Sequence, residues 1–128
     1  MKDTSNQLGK TSVLIIDDDR DLLDLVCQII EFSDMNAKGI SDGAEVLNTL
    51  ASGHFDVVLM DIYIGSYDGR DIVKLIKADS ELSHIPVLLY SAGHIDEDMV
   101  TAAGADGFLK KPFDMTDLIT QINRVTAK

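Results

Sequence analysis

The chain has 128 residues, 45% hydrophobic and 26% charged, with nine Gly and two Pro, a composition that fits one globular domain and excludes fibrous, mucin-like and linker architectures. Eleven basic residues against twenty-two acidic ones leave a formal charge of −11 with no basic cluster, which excludes docking on the phosphate backbone of nucleic acid. The longest apolar runs, such as residues 57–60 and 86–89, fall far short of the roughly 20 residues of a membrane helix, and the polar start of the chain lacks the apolar stretch of a secretion signal, so a cytoplasmic protein is expected.

Residues 1–11 read as a polar lead-in, and residues 12–128 as the folded domain. The run at 13–16 is β-rich and is followed directly by acidic residues, as expected of a buried parallel strand whose carboxyl end opens at a surface. Asp19 or Asp21 can cap the helix that follows, in which Leu22, Leu25, Val26, Ile29 and Ile30 recur at offsets of three and four. The alternation continues with a weak strand at 37–40, a helix near 43–51, a strong strand at 55–60 and a helix near 69–78. It ends with a strand at 87–90, a helix near 95–103, a short strand at 107–110 and a helix near 115–126. Five strand–helix units joined by short connections imply a doubly wound α/β fold: parallel strands with right-handed crossovers and helices on both faces. In such sheets the functional site lies beyond the carboxyl ends of the strands.

Those ends are polar. The first strand runs into Asp17-Asp18-Asp19, the third into Asp61, the fourth into Ser91 and the fifth into Lys110-Lys111-Pro112. Each alone has an ordinary explanation as a cap or a solvated side chain. Together they place Asp17, Asp18 and Asp61 at the centre of the sheet edge, where two carboxylates about 4 Å apart repel by roughly 4 kcal/mol at an effective dielectric of 20. A hard divalent cation offsets that repulsion, and an all-oxygen donor set suits Mg²⁺. With Lys111 as a second positive charge and a hydroxyl beside it, the cluster can receive an anion such as a phosphoryl group.

Ile16-Asp17-Asp18, Leu59-Met60-Asp61, Ser91-Ala92 and Lys111-Pro112-Phe113 resemble the receiver domains of two-component response regulators, the CheY-like family, over nearly the whole chain. Ser91 follows Asp61 by 30 residues and Lys111 by 50, spacings typical of receivers. The resemblance implies a flavodoxin-like (βα)5 sheet in strand order 2-1-3-4-5. It also implies that Asp61 is the phosphoacceptor and that Asp18, Asp61 and the backbone carbonyl of Tyr63 bind Mg²⁺, with Asp17 acting through water. Lys111 then pairs with a phosphoryl oxygen, and Ser91 and Phe108 form the switch pair, the hydroxyl turning to the phosphoryl group while the aromatic ring moves inward. A histidine kinase or a histidine phosphotransfer protein is the implied donor, and a phosphorylation-dependent homodimer is the self-association the family allows. Turnover is expected to be limited to self-phosphorylation and slow self-dephosphorylation, so the chain is not expected to be an enzyme in the ordinary sense.

The departures are informative as well. Receivers often carry Met-Pro where this chain has Ile64-Gly65, so the loop from Asp61 to Asp68 loses a fixed φ and is expected to be freer. Tyr63 and Gly93 stand where the family controls access of water to the phosphoryl group, and the Tyr63 ring is expected to screen it. The 17 residues after Lys111 suffice for one helix, so no output domain is expected on this stretch. Two rival classes are a receiver-like interaction module working without phosphorylation, which the full set of Asp17, Asp18, Asp61, Ser91 and Lys111 opposes, and a haloacid-dehalogenase-like phosphatase. For the latter, Asp21 stands where that pattern wants Thr or Val, and Pro112-Phe113 where it wants an acidic pair. Asp17 to Gln28 fails as a calcium loop because Leu22 replaces the turn Gly. His54, His84 and His94 lack ligand spacing, Cys27 reads as a buried small hydrophobe, and Met60 and Met99 read as gap fillers.

Overall fold

The computed structural model describes residues 9–92 and 97–127. Most of the lead-in, Gly93, His94 and the first two residues of the helix expected at 95–103 lie outside the described residues. Strands β1 (Ser12–Ile16), β2 (Asn36–Ile40), β3 (Val57–Asp61), β4 (Val87–Ser91) and β5 (Gly107–Lys110) form one parallel sheet in the order β2-β1-β3-β4-β5. The connecting helices are α1 (Arg20–Phe32), α2 (Val46–Ser52), α3 (Gly69–Ala78), α4 (Glu97–Ala103) and α5 (Met115–Thr126), with a 3₁₀ turn, Gly43–Glu45, leading into α2.

The two-residue period of a strand divides the core in two. Leu14, Ile16, Val58, Met60, Val87 and Leu89 point to one face, where Val46, Leu50, Ile72, Val73, Ile76 and Val100 of α2, α3 and α4 cover them. Val13, Ile15, Val57, Leu59, Leu88 and Tyr90 point to the other, under Leu23, Val26 and Ile30 of α1 and Leu118 and Ile122 of α5. With both faces covered, β1, β3 and β4 read as continuous apolar runs. At about 1.5–3 kcal/mol for each aliphatic side chain buried, these two layers hold the sheet edge in place.

Aspartates start several helices. Asp19 Oδ1 accepts from the Leu22 N–H at 3.2 Å, Asp42 Oδ1 from Ala44 at 2.9 Å, Asp68 Oδ1 from Arg70 at 2.9 Å and Asp114 Oδ1 from Asp117 at 2.8 Å. Part of the acidic surplus is thus local chain chemistry.

Four expectations need correction. The buried stripe of α1 is Leu23, Val26 and Ile30, while Leu25 is 52% exposed and Leu22 and Ile29 are only partly covered, because the helix sits over the sheet rotated by about one residue from the sequence pattern. The third strand starts at Val57, leaving Phe55 before it. Met99 is 51% exposed on α4 and fills no gap. Cys27 is half-buried against the α1–α5 layer, and burial raises its thiol pKa.

Candidate functional site

Strand register brings the site together. Ile16 pairs with Met60, Asp61 with Tyr90 and Ser91 with Lys110. One step beyond the first of these pairs, Asp17 and Asp61 are neighbours on the α1–α5 face, on the same side as Tyr90. Ligand oxygens of Asp17, Asp18 and Asp61 all lie within 4.8 Å of one another, with Asp17 and Asp61 buried and Asp18 exposed. Lys111, just past β5, donates from Nζ to Asp61 Oδ2 at 3.0 Å and to Asp17 Oδ2 at 3.5 Å. The Lys111–Pro112 peptide is cis.

Each carboxylate is held differently. Asp17 is fully buried. Its Oδ1 accepts the Asp19 N–H at 2.9 Å, and its Oδ2 accepts the Tyr90 hydroxyl at 2.6 Å. Asp61 Oδ1 accepts the Tyr63 N–H at 3.1 Å. Burial raises the Asp61 pKa above the usual carboxylate range, outweighing the Lys111 hydrogen bond and charge and the Tyr63 N–H, while the charge of Asp17 adds to the rise. Burial and the bond to Asp17 likewise keep the Tyr90 phenol far above its ordinary pKa.

Asp18 is held by the loop that the sequence marked as loose. Tyr63–Ile64 and Tyr67–Asp68 pair antiparallel across a two-residue turn, with Gly65 at φ +59°, and the Gly65 N–H donates to Asp18 Oδ2 at 2.7 Å. A proline at this position has no N–H to give. The expected freedom is therefore replaced by a turn that only Gly adopts easily and by a bond that Pro would forbid.

Ser91 is buried at the end of β4, on the opposite side of the strand from Tyr90, and its carbonyl accepts the Lys111 N–H at 2.9 Å. Phe108 lies beside Leu89 and packs, partly buried, against the α2–α4 layer. Asp17, Asp18, Asp61 and Lys111 thus share one cluster, with Ser91 at the adjoining strand end, and Tyr63 meets the cluster through its N–H. His54 and His84 are exposed and precede β3 and β4, at the end of those strands opposite the cluster.

Two residues escaped the sequence reading. Tyr90 looked like one more apolar strand residue, and the available signal was a lone phenol in an aliphatic run next to Ser91. Gly69 looked like a helix start, yet a Cβ there would lie 2.5 Å from the Asp61 carbonyl oxygen, so only glycine lets α3 begin this close to the acid. Chemically, three carboxylates facing one ammonium form an oxygen-only donor set with net negative charge, which matches a hard divalent cation such as Mg²⁺.

The family model described as the response regulator receiver domain matches residues 13–123. Among curated proteins, the response regulator SaeR of Staphylococcus epidermidis is 32% identical over 120 residues, covering 92% of this chain and 51% of that protein. The uncharacterized transcriptional regulatory protein YcbL of Bacillus subtilis is 31% identical over 111 residues, covering 85% of this chain and 48% of that protein. The chain spans about half the length of these curated relatives. Among solved structures, the chemotaxis response regulator CheY4 of Vibrio cholerae superposes with a TM-score of 0.83 at 26% identity, covering 91% of this chain and 98% of that one. A putative response regulator from Chloroflexus aurantiacus, at 21% identity, shares the fold with a TM-score of 0.87 over 93% of this chain and 99% of that one. The acidic triad is typical of a Mg-binding receiver site. A match that runs from the second residue of β1 into the last turns of α5 takes in every strand of the sheet: the chain belongs to the response regulator receiver domain family and is CheY-like.

Proposed function

We propose that this domain, residues 12–128, accepts a phosphoryl group on Asp61 from the phosphohistidine of a histidine kinase or histidine phosphotransfer protein, and signals through the resulting change of packing. The observation that carries it is the contact of Lys111 Nζ with Asp61 Oδ2 at 3.0 Å inside a cluster of three carboxylates. An Asp61 oxygen forms the new bond to phosphorus as the nitrogen–phosphorus bond of the donor breaks. The imidazole leaves with the electron pair and is protonated by solvent. Asp18 and Asp61, with the Tyr63 carbonyl, would hold Mg²⁺, and Asp17 would act through water. The ion supplies charge neutralisation for the phosphoryl oxygens. Lys111 would draw off charge from a phosphoryl oxygen on Asp61, and the tethers on Asp17, Asp18 and Asp61 fix the acids before the donor arrives.

Ser91 and Phe108 are the proposed switch. The hydroxyl turns to the phosphoryl group, the ring moves into the space vacated, and the face built by α4, β5 and α5 changes. For the donor, the uncovered side of α1 supports a docking site: Leu22, Leu25 and Ile29 line a groove of about 560 Å³ with Ala92, Pro112 and Phe113, directly beside Lys111. A phosphorylation-dependent homodimer belongs to the same reading, as does action in the cytoplasm; among the described residues, no helix is long and apolar enough to cross a membrane. Tyr63, 54% exposed beside the acceptor, screens the phosphoaspartate from water, and Tyr63→Ala is expected to speed loss of the phosphoryl group.

The test is intact-mass spectrometry after incubation with a small-molecule phosphodonor and Mg²⁺. One phosphoryl adduct per chain is expected, absent in Asp61→Asn and in the presence of a chelator. An adduct that persists in Asp61→Asn overturns the assignment.

A further inference from the structure

Tyr90 stands on β4, between the acid at the end of β1 and the turn after β5, and it touches both. Its ring is fully buried. The hydroxyl donates to Asp17 Oδ2 at 2.6 Å and lies 3.4 Å from the Ile16 carbonyl oxygen. Lys111 Nζ sits 4.8 Å from the ring centroid, a cation–π distance, and the Phe113 ring meets it edge-on with centroids 5.7 Å apart. The same side chain therefore gives a hydrogen bond to one member of the acidic cluster and a face to its only ammonium partner among the described residues.

The two Lys111 contacts are unequal in a way this explains. Both carboxylates offer Oδ2 to Nζ, yet the distance is 3.0 Å to Asp61 and 3.5 Å to Asp17. Asp17 is the more deeply buried of the two and would be the stronger claimant for a charge. Its Oδ2 is already satisfied by the phenol, and its Oδ1 by the Asp19 N–H at 2.9 Å. Remove the hydroxyl and a buried carboxylate oxygen loses its short donor, which leaves Lys111 as the nearest replacement.

We propose that Tyr90 is a positioning residue: its hydroxyl satisfies Asp17 so that Lys111 is directed to Asp61, and so that the ammonium does not close on Asp17 as well and compete there with the bound cation. This rests on the proposed phosphoryl-acceptor reading of the site. It is specific to the hydroxyl, since a phenylalanine ring would fill the same space and present the same face to Lys111.

The experiment is a Mg²⁺ titration followed by amide NMR shifts on four folded chains: the unaltered protein, Tyr90→Phe, Lys111→Met and the double variant. Tyr90→Phe is expected to weaken Mg²⁺ binding about tenfold, the low end of what loss of an outer-shell partner does. In the Lys111→Met background the same change is expected to have less than a twofold effect, because the competing ammonium is gone. An effect below twofold in the chain that keeps Lys111 overturns the proposal, and so does an equal loss with and without Lys111, which would assign Tyr90 a role in packing alone. Should Tyr90→Phe fail to fold, the Tyr90 hydroxyl proton of the unaltered chain is followed instead. It is expected downfield and shifted by Mg²⁺, and an unmoved resonance overturns the proposal. If the unaltered chain itself binds no Mg²⁺, the reading of the acidic site fails, whatever Tyr90 does.

Discussion

The two ends of the sheet use the same residue types for opposite purposes. At the amino ends of the strands, Asp56 Oδ2 accepts the N–H of Ser12 at 2.8 Å, and Asp106 Oδ2 accepts the N–H of Val87 at 2.8 Å. In each case the acid just before one strand ties down the first residue of its neighbour. Lys77 Nζ meets Asp106 Oδ2 at 3.0 Å and the Ile85 carbonyl at 2.9 Å. Each of these three charges faces a dipole or an opposite charge. At the carboxyl ends, Asp17, Asp18 and Asp61 face one another with Lys111 alone between the two buried ones. The first arrangement lowers the energy of the fold. The second concentrates like charge that the fold must restrain, which is the mark of a site kept for a ligand.

The largest effect expected from that difference is at Asp61. Asp61→Asn should abolish the phosphoryl adduct and yet raise the thermal midpoint of the metal-free protein at neutral pH. The folded pKa of Asp61 is raised, so its stability is full below the ordinary carboxylate pKa and is lost as pH rises through the folded value. The gain from Asn should therefore vanish in acid, and a variant less stable at neutral pH would break the comparison. Lys111→Met comes next. Phosphoryl uptake, read as the rate of adduct formation at saturating Mg²⁺, should fall about 10²–10³-fold, the usual loss for one group aimed at developing charge.

At the other end, Asp106→Ala should lower the free energy of urea unfolding by about 1–3 kcal/mol, since the Val87 N–H loses its acceptor and Lys77 its carboxylate partner, keeping only carbonyl oxygens. Phosphoryl uptake should stay within twofold; a large loss would mean that the two ends are not independent. The smallest effect sharpens the boundary between them. Asp68, at the start of α3, forms a fork with Arg70 through Nε at 3.1 Å and Nη2 at 2.7 Å, which lowers its pKa. Asp68→Asn should cost less than about 1 kcal/mol because the pair is partly solvated. The difference should be present above the ordinary carboxylate pKa and close as pH falls through the lowered folded value, measured by thermal unfolding across that range.

Much of this was legible in the residues. Continuous apolar runs with acids, Ser91 and Lys111 at their ends marked both the parallel sheet and its working edge, because period and strand polarity are properties of the chain itself. The partial coverage of α1 was not legible, since Leu22, Leu23, Leu25 and Val26 are equally apolar and only the angle of the helix on the sheet selects among them. Gly65 was visible as a departure, but its consequence was inverted: a bond to Asp18, 47 residues away, has no local signature. The contact between Tyr90 and Asp17 spans 73 residues and was hidden for the same reason.

What the amino-acid order determined alone was the alternation of strands and helices, the sheet they build and the identity of the acids at its edge, since each follows from local periodicity and residue type. Only the tertiary structure decided which donor each acid receives: Tyr90 for Asp17, Gly65 for Asp18, and Lys111 with the Tyr63 N–H for Asp61. Most of these partners are distant in the chain and are brought within hydrogen-bond reach by strand register and by a turn, and hydrogen bonds depend on tenths of an ångström that no pattern of residue types encodes.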